Sequence, residues 1–177
     1  MKFNLIVAHD QNYGIGKDNK LPFHSPLDLK RFSRLIKDTN IIVGRKTYDS
    51  ILDYTNGNFL KGIKSAHIIS NYVTIRRKSF NDSIMSNNLS NTIIYLKGTY
   101  YKNKYGDDSI FSVIGGATIY EQLAPYCEFW YVSKIKGQFD CDTYFKYDDL
   151  YNLELIYEVD CVDHIFCIYR NKDYVKI

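Results

Sequence analysis

The chain has 177 residues, of which 45% are hydrophobic and 24% charged, and its formal net charge is +3. That is the size and balance of one soluble globular domain spanning 1–177, and nothing in it suggests a second. Basic residues are scattered, the densest cluster being Arg76-Arg77-Lys78, so no nucleic-acid partner is expected.

The N-terminal "MKFNLIVAHD" carries a short apolar run, but polar residues follow too soon for a signal peptide or a spanning helix. A cytoplasmic protein with no membrane partner is expected. Residues 3–8 read as a first strand, followed by a long loop over 10–24. "GIGKDN" at 14–19 has Asn19 where a dinucleotide fingerprint needs its third glycine, and no helix follows it. A long loop of this kind beside a site often acts as a lid.

"KLPFHSPLDLKRFSRL", at 20–35, opens a helix predicted over 26–36. Ser25 serves as N-cap, Pro26 suits the first turn, and Leu29, Phe32 and Ile36 recur at helical spacing. Asp28 lies on the edge of that apolar stripe, with Phe32 and Leu35 as its neighbours one and two turns on. Two readings are open on this stretch alone. Asp28 stands three residues after Ser25, the spacing of a capping box, and a carboxylate also suits a helix N-terminus. Its apolar neighbours nevertheless make a charge costly there, which points to a ligand.

A strand at 40–44 leads into a helix at 45–52, and a strand at 66–70 follows an irregular stretch. Residues 71–91, rich in Asn and Ser, read as a surface loop with one helical turn. Then come a strand at 92–96, a weak helix near 100–105, a strand at 110–116, a helix at 117–124 and a strand at 129–135. The alternation argues an α/β fold: a mostly parallel sheet with helices on both faces. Strands at 153–160 and 164–170 have only three residues between them, enough for an antiparallel hairpin at the sheet edge and too few for a crossover helix.

Cys127, Cys141, Cys161 and Cys167 form no C-x-x-C pair and read as buried free thiols. His9, His24, His67 and His164 are far apart, so no metal site is expected. Two strand-to-helix junctions suit an anion: Gly44 followed by Arg45, Lys46 and Thr47, and Gly115-Gly116 ahead of Ala117. Together they could hold the two ends of a dinucleotide.

The segments "LIVAHDQNYGIGKDNKLPFHSPLDLKRF", "IIVGRKTYDSI", "VIGGATIYEQL" and "CDTYF" resemble, in order and separation, the signatures of dihydrofolate reductase. The similarity spans about residues 3–170. It implies an eight-stranded, mostly parallel twisted sheet with about four helices and a C-terminal antiparallel hairpin. It also implies NADPH as cofactor, dihydrofolate as substrate and a monomer. Asp28 matches the pterin-anchoring carboxylate. Ile6, Val7, Leu29, Phe32, Ile51, Ile114 and Tyr120 match the substrate pocket, and Thr143 matches a Thr that supports the carboxylate. Ala8, Ile15 and Gly16 match positions flanking the nicotinamide. Gly44, Arg45, Lys46, Thr47, Ser70 and Asn71, with Gly115, Gly116, Ala117, Thr118 and Ile119, match the remaining cofactor positions.

Three departures from the family pattern stand out. Phe23 and Tyr48 each replace a Trp, and Lys64 stands where an Arg grips the substrate's glutamate α-carboxylate. Two rival functions remain at this level: reduction of a ribosylated pyrimidine on the same fold, and a binding or structural role that keeps only the nucleotide site.

Overall fold

The computed structural model describes residues 1–55, 61–70, 82–86 and 108–176. Strand β1 (Lys2–His9) lies inside an eight-stranded sheet with β3 (Asn40–Gly44), β4 (Ser65–Ser70), β5 (Asp82–Ser86), β6 (Ile110–Val113), β7 (Phe129–Ile135), β9 (Leu153–Asp160) and β10 (His164–Asn171). Two short strands, β2 (Gly14–Gly16) and β8 (Thr143–Tyr144), pair beside it. The sheet order is β5-β4-β3-β6-β1-β7-β10-β9. Every pair from β5 through β7 is parallel, while β7-β10 and β10-β9 are antiparallel, giving the edge hairpin expected from the short 161–163 link.

Helices α1 (Pro26–Ile36), α2 (Arg45–Thr55) and α3 (Ala117–Leu123) cover the sheet, so three are found among the described residues. The strand at 92–96 and the weak helix near 100–105 fall outside those residues. Two expectations are corrected. Residues 82–86 form an edge strand rather than surface loop, pairing in parallel with β4 from Ala66↔Asp82 to Ser70↔Ser86. "DSIMS" carries no apolar period, and pairing with β4 rather than a local pattern makes it a strand. The strand expected over 110–116 ends at Val113: the Ile114 amide still donates to Ile42 O at 3.0 Å, and the chain then turns at Gly115, whose φ is +107°.

The side chains of β1 divide the core in two. Phe3, Leu5 and Val7 pack with Ile119, Tyr120, Leu123 and Trp130 on the α3 face. Ile6 packs with Ile36, Tyr48, Leu52 and Ile114 on the face covered by α1 and α2. The alternation follows from the period of two along a strand. Among the described residues no helix is long and apolar enough to cross a membrane, and no group of three metal-ligating side chains occurs. Cys127, Cys141 and Cys167 are buried free thiols, while Cys161 is half-buried at the hairpin turn.

Segment 10–24 is tied down at its base. Asp10 is fully buried, and its carboxylate accepts from the backbone amides of Asn12 and Gly14, both at 2.8 Å, and of Phe139 at 2.9 Å. Burial raises its pKa, but the three amides outweigh that and hold it below the ordinary carboxylate range. Gly14 allows the close approach: a Cβ there would stand 2.3 Å from Cys141 Sγ.

Asp10→Asn loses charge-assisted hydrogen bonds and turns an amide N-H toward donors, so about 2 kcal/mol of stability should be lost at neutral pH. Because the folded pKa is depressed, the carboxylate stabilises the fold above its unfolded pKa, and that contribution disappears as pH falls through the folded value. Urea unfolding of both proteins should therefore differ at pH 7 and converge in acid. A constant gap across that range would show that Asp10 acts through packing alone.

Candidate active site

Helix α1 begins as its sequence requires. Ser25 is extended (φ −130°, ψ 99°), and its Oγ accepts from the Asp28 amide at 3.1 Å. Capping therefore uses the backbone of Asp28 and leaves its carboxylate for another partner. That partner is the Ser133 hydroxyl on β7. Ser133 is buried and stands in register between Ala8 of β1 and Phe166 of β10. Burial pushes the Asp28 carboxyl above its ordinary pKa, opposed by the Ser133 hydroxyl, His164 and Arg31, while Asp163 adds to the rise. The half-buried carboxylate at the carboxyl end of β1 thus has burial acting against its charge and neighbouring polar groups acting for it.

Around it the α1/α2 face supplies an apolar wall. Ile6 and Ile114 are buried there, with Phe32, Ile51, Leu35 and Tyr131 packed on them. Leu29, half-buried, follows Asp28 on the helix. Tyr120 reaches through from α3, and its hydroxyl donates to the Ile6 carbonyl at 2.7 Å. Burial, and then the charge of Asp28, push its phenol far up. Val7 is corrected: its side chain points into the opposite core with Leu5, as strand alternation demands.

Thr143 is also corrected. Its Oγ1 donates to Asp142 at 2.8 Å, and Asp142 accepts from the Asp18 amide at 2.8 Å, so Thr143 supports the 10–24 segment and not Asp28. Ser133 does that work. A single Ser inside the apolar run "FWYVSKI" was the available signal, since a hydroxyl on a buried strand needs a partner. Lys64 is exposed near the far end of α1, where its amide donates to Thr39 O at 2.8 Å. The nine helical residues from Asp28 to Ile36 span roughly 12 Å, so the wall is long enough for an extended ligand. Phe23 is buried edge-on to Phe139, with ring centroids 5.6 Å apart, and offers no donor. Tyr48 is fully buried in the α1/α2 core.

The two glycine junctions meet. Gly44 N donates to Gly115 O at 2.6 Å. A Cβ on Gly44 would stand 3.2 Å from Ile119 Cγ1, and one on Gly116 would stand 3.0 Å from Thr47 Oγ1. Side chains at either glycine would crowd this junction, and their absence leaves its backbone approachable. Lys46 and Thr118 are exposed at the two helix starts, and Ala117 is half-buried. Arg45 pairs with Asp49 one turn on, at 3.1 Å. Ser70 ends β4 one position beyond the Gly44↔Ile69 pair and is buried. Asn71 lies outside the described residues. Ala8 pairs with Ser133, Ile15 packs on the α3-side core, and Gly16 pairs with Thr143.

The carboxylate wall and the glycine junctions both sit at the carboxyl ends of the central parallel strands, where ligands of open α/β sheets bind. The family model described as dihydrofolate reductase matches residues 2–161. The dihydrofolate reductase of Bacillus subtilis (strain 168) is 31% identical over 180 residues, covering 98% of this chain and 96% of that protein. That of Buchnera aphidicola subsp. Baizongia pistaciae (strain Bp) is 29% identical over 166 residues, covering 93% and 89%. The fold is similar to that of a dihydrofolate reductase from Enterococcus faecalis complexed with NADP(H) and RAB-propyl, with a TM-score of 0.74, 22% identity and 97% of each chain covered. With residues 2–161 matched by the family model and a relative 31% identical over nearly the whole of both chains, the chain belongs to the dihydrofolate reductase family.

Proposed function

We propose that this chain is an NADPH-dependent enzyme that reduces 7,8-dihydrofolate to 5,6,7,8-tetrahydrofolate, acting as a cytoplasmic monomer on small molecules alone. The observation that carries the reading is Asp28: a carboxylate half-buried on an apolar wall, its backbone already used by the cap and its oxygens left to face a ligand. A pterin ring offers an apolar face to Phe32, Ile51 and Ile114 and N-H donors to the carboxylate. Bound NADPH would supply the hydride for pterin C6. Gly44, Gly115 and Gly116 would let its phosphates approach the backbone, with Arg45, Lys46 and Thr47 beside them.

The protein's own contribution is to position and to exclude water. Asp28 orients the pterin and favours its protonated form electrostatically, while N5 takes its proton from water. Segment 10–24, hinged on Asp10 and braced by Asp142, closes over the nicotinamide side at Ala8, Ile15 and Gly16. Purified protein should oxidise NADPH only when dihydrofolate is added. Cofactor binding without turnover would favour a structural role, and turnover of a ribosylated pyrimidine alone would favour the other reductase.

Asp28→Asn retains the Ser25 cap, which uses the backbone amide, and removes the charge. Turnover at neutral pH should fall by roughly 10² to 10⁴, with partial recovery at lower pH, where solvent protonates the substrate, and with little change in Tm. A lower Tm with normal turnover would return Asp28 to a structural role.

Arg45 must leave Asp49 to meet a 2'-phosphate. Arg45→Ala should therefore weaken NADPH binding and leave NADH nearly unchanged, as read by fluorescence titration of both cofactors. An equal loss for the two would place the contact on the diphosphate.

Lys64 replaces a bidentate clamp with a point charge, so removing the glutamate tail from the substrate should raise KM only modestly. A large penalty that persists in Lys64→Ala would assign the clamp to another residue.

A further inference from the structure

Beyond Asp28 lies a second polar cluster, built where the last hairpin meets the first turn of α1. Arg31 stands one turn after Asp28. Its guanidinium lies over the Phe166 ring, 4.1 Å from the centroid, and donates to Nε2 of the fully buried His164 and to Cys161 Sγ at 3.5 Å. Arg can only donate, so Nε2 accepts and the ring proton sits on Nδ1. Nδ1 is 2.6 Å from Asp163 Oδ1 and donates to it. Asp163 is also hydrogen-bonded to Ser25, whose Oγ accepts from the Asp28 amide. The chain of contacts closes on itself: Asp28 backbone, Ser25, Asp163, His164, Arg31 and back to α1 three residues on.

We propose that Asp163, His164 and Arg31 form a positioning clamp that fixes the turn carrying Asp28 and holds the Arg31 guanidinium on the Phe166 ring one helical turn from it. The inference rests on the reading of Asp28 as the pterin-binding group. Five side chains act on Asp28 or are acted on by it from the elements packed there: Arg31 on its own helix, Ser133 on β7, Asp163 and His164 at the hairpin, and Tyr120 on α3. Of these only Arg31 is a fixed cation. Its charge opposes the burial that disfavours ionised Asp28. His164 and Phe166 lie two residues apart on β10 and share one face, so the strand supplies both the acceptor and the ring that locate the guanidinium. His164 thus passes the position of Asp163 to Arg31, in addition to its own opposition to the rise of the Asp28 carboxyl.

The test is a pH titration of the Asp28 carboxyl by NMR of protein labelled with ¹³C-aspartate, its signal identified by its loss in Asp28→Asn. Arg31→Met keeps an aliphatic stem over Phe166 and removes the charge. His164→Leu keeps a buried apolar side chain and releases the guanidinium. Both should raise the Asp28 midpoint by about one pH unit and lower turnover at neutral pH by about tenfold, whereas His164→Gln, whose carboxamide can both donate and accept, should keep the guanidinium in place and raise the midpoint less than His164→Leu. An unchanged midpoint in Arg31→Met overturns the proposal. So does a rise in Arg31→Met with none in His164→Leu, since Arg31 would then need no clamp. A lower Tm in His164→Leu with an unchanged midpoint identifies a structural brace only, and also overturns it. Should the wild type fail to reduce dihydrofolate, the function reading fails on its own, and the titration still decides the clamp.

Discussion

A carboxylate drawn partly out of water with no cation at salt-bridge distance is costly for a protein to hold, and the architecture around Asp28 is organised by that cost. Its own helix and two elements distant in sequence act on it: a guanidinium from α1, a hydroxyl from β7 and a hairpin that locates the guanidinium. None of them forms a full ion pair with it at salt-bridge distance, so its charge is moderated rather than cancelled. The carboxylate keeps acceptor capacity beyond the Ser133 hydroxyl. In the proposed function that capacity lets an apolar wall recognise a flat, hydrogen-bonding heterocycle.

The parallel sheet explains why the glycine junctions lie near the carboxylate. Strands β3, β6 and β1 run side by side in one direction, so the turns leaving them all emerge at one end. Two of those turns carry glycine, and they touch through Gly44 and Gly115. Approachable backbone at one turn and an apolar wall at the next follow from strand direction alone. No long-range coincidence is needed.

Much of this was legible in the chain. The helix at 26–36, the strand at 129–135 and the hairpin at 153–170 follow from periodicity, a serine cap and a three-residue link, all of them local signals. Asp28 was visible as a charge on an apolar stripe. What escaped was set by tertiary pairing. β5 has no hydrophobic alternation and exists because β4 offers it an edge. Val7 matched a family pocket position, yet strict alternation on β1 assigns its side chain to the other core. Ser133 and Thr143 are both hydroxyls on strands, and which of them meets Asp28 depends on the β1-β7-β10 register, which one chain read alone does not display. Arg31 and His164 are 133 residues apart, and no local pattern links them.

That separation also sets an order of assembly. β1 pairs with partners that begin at Ile110 and Phe129, and the residues that locate Arg31 belong to the final hairpin. During synthesis Asp28 and its helix leave the ribosome well before the strands that must flank them, and Asp163 and His164 follow later still. A nascent chain therefore carries its apolar β1 and α1 without the surfaces that cover them until those later segments emerge. The Asp28 carboxylate acquires its full environment only as β10 docks.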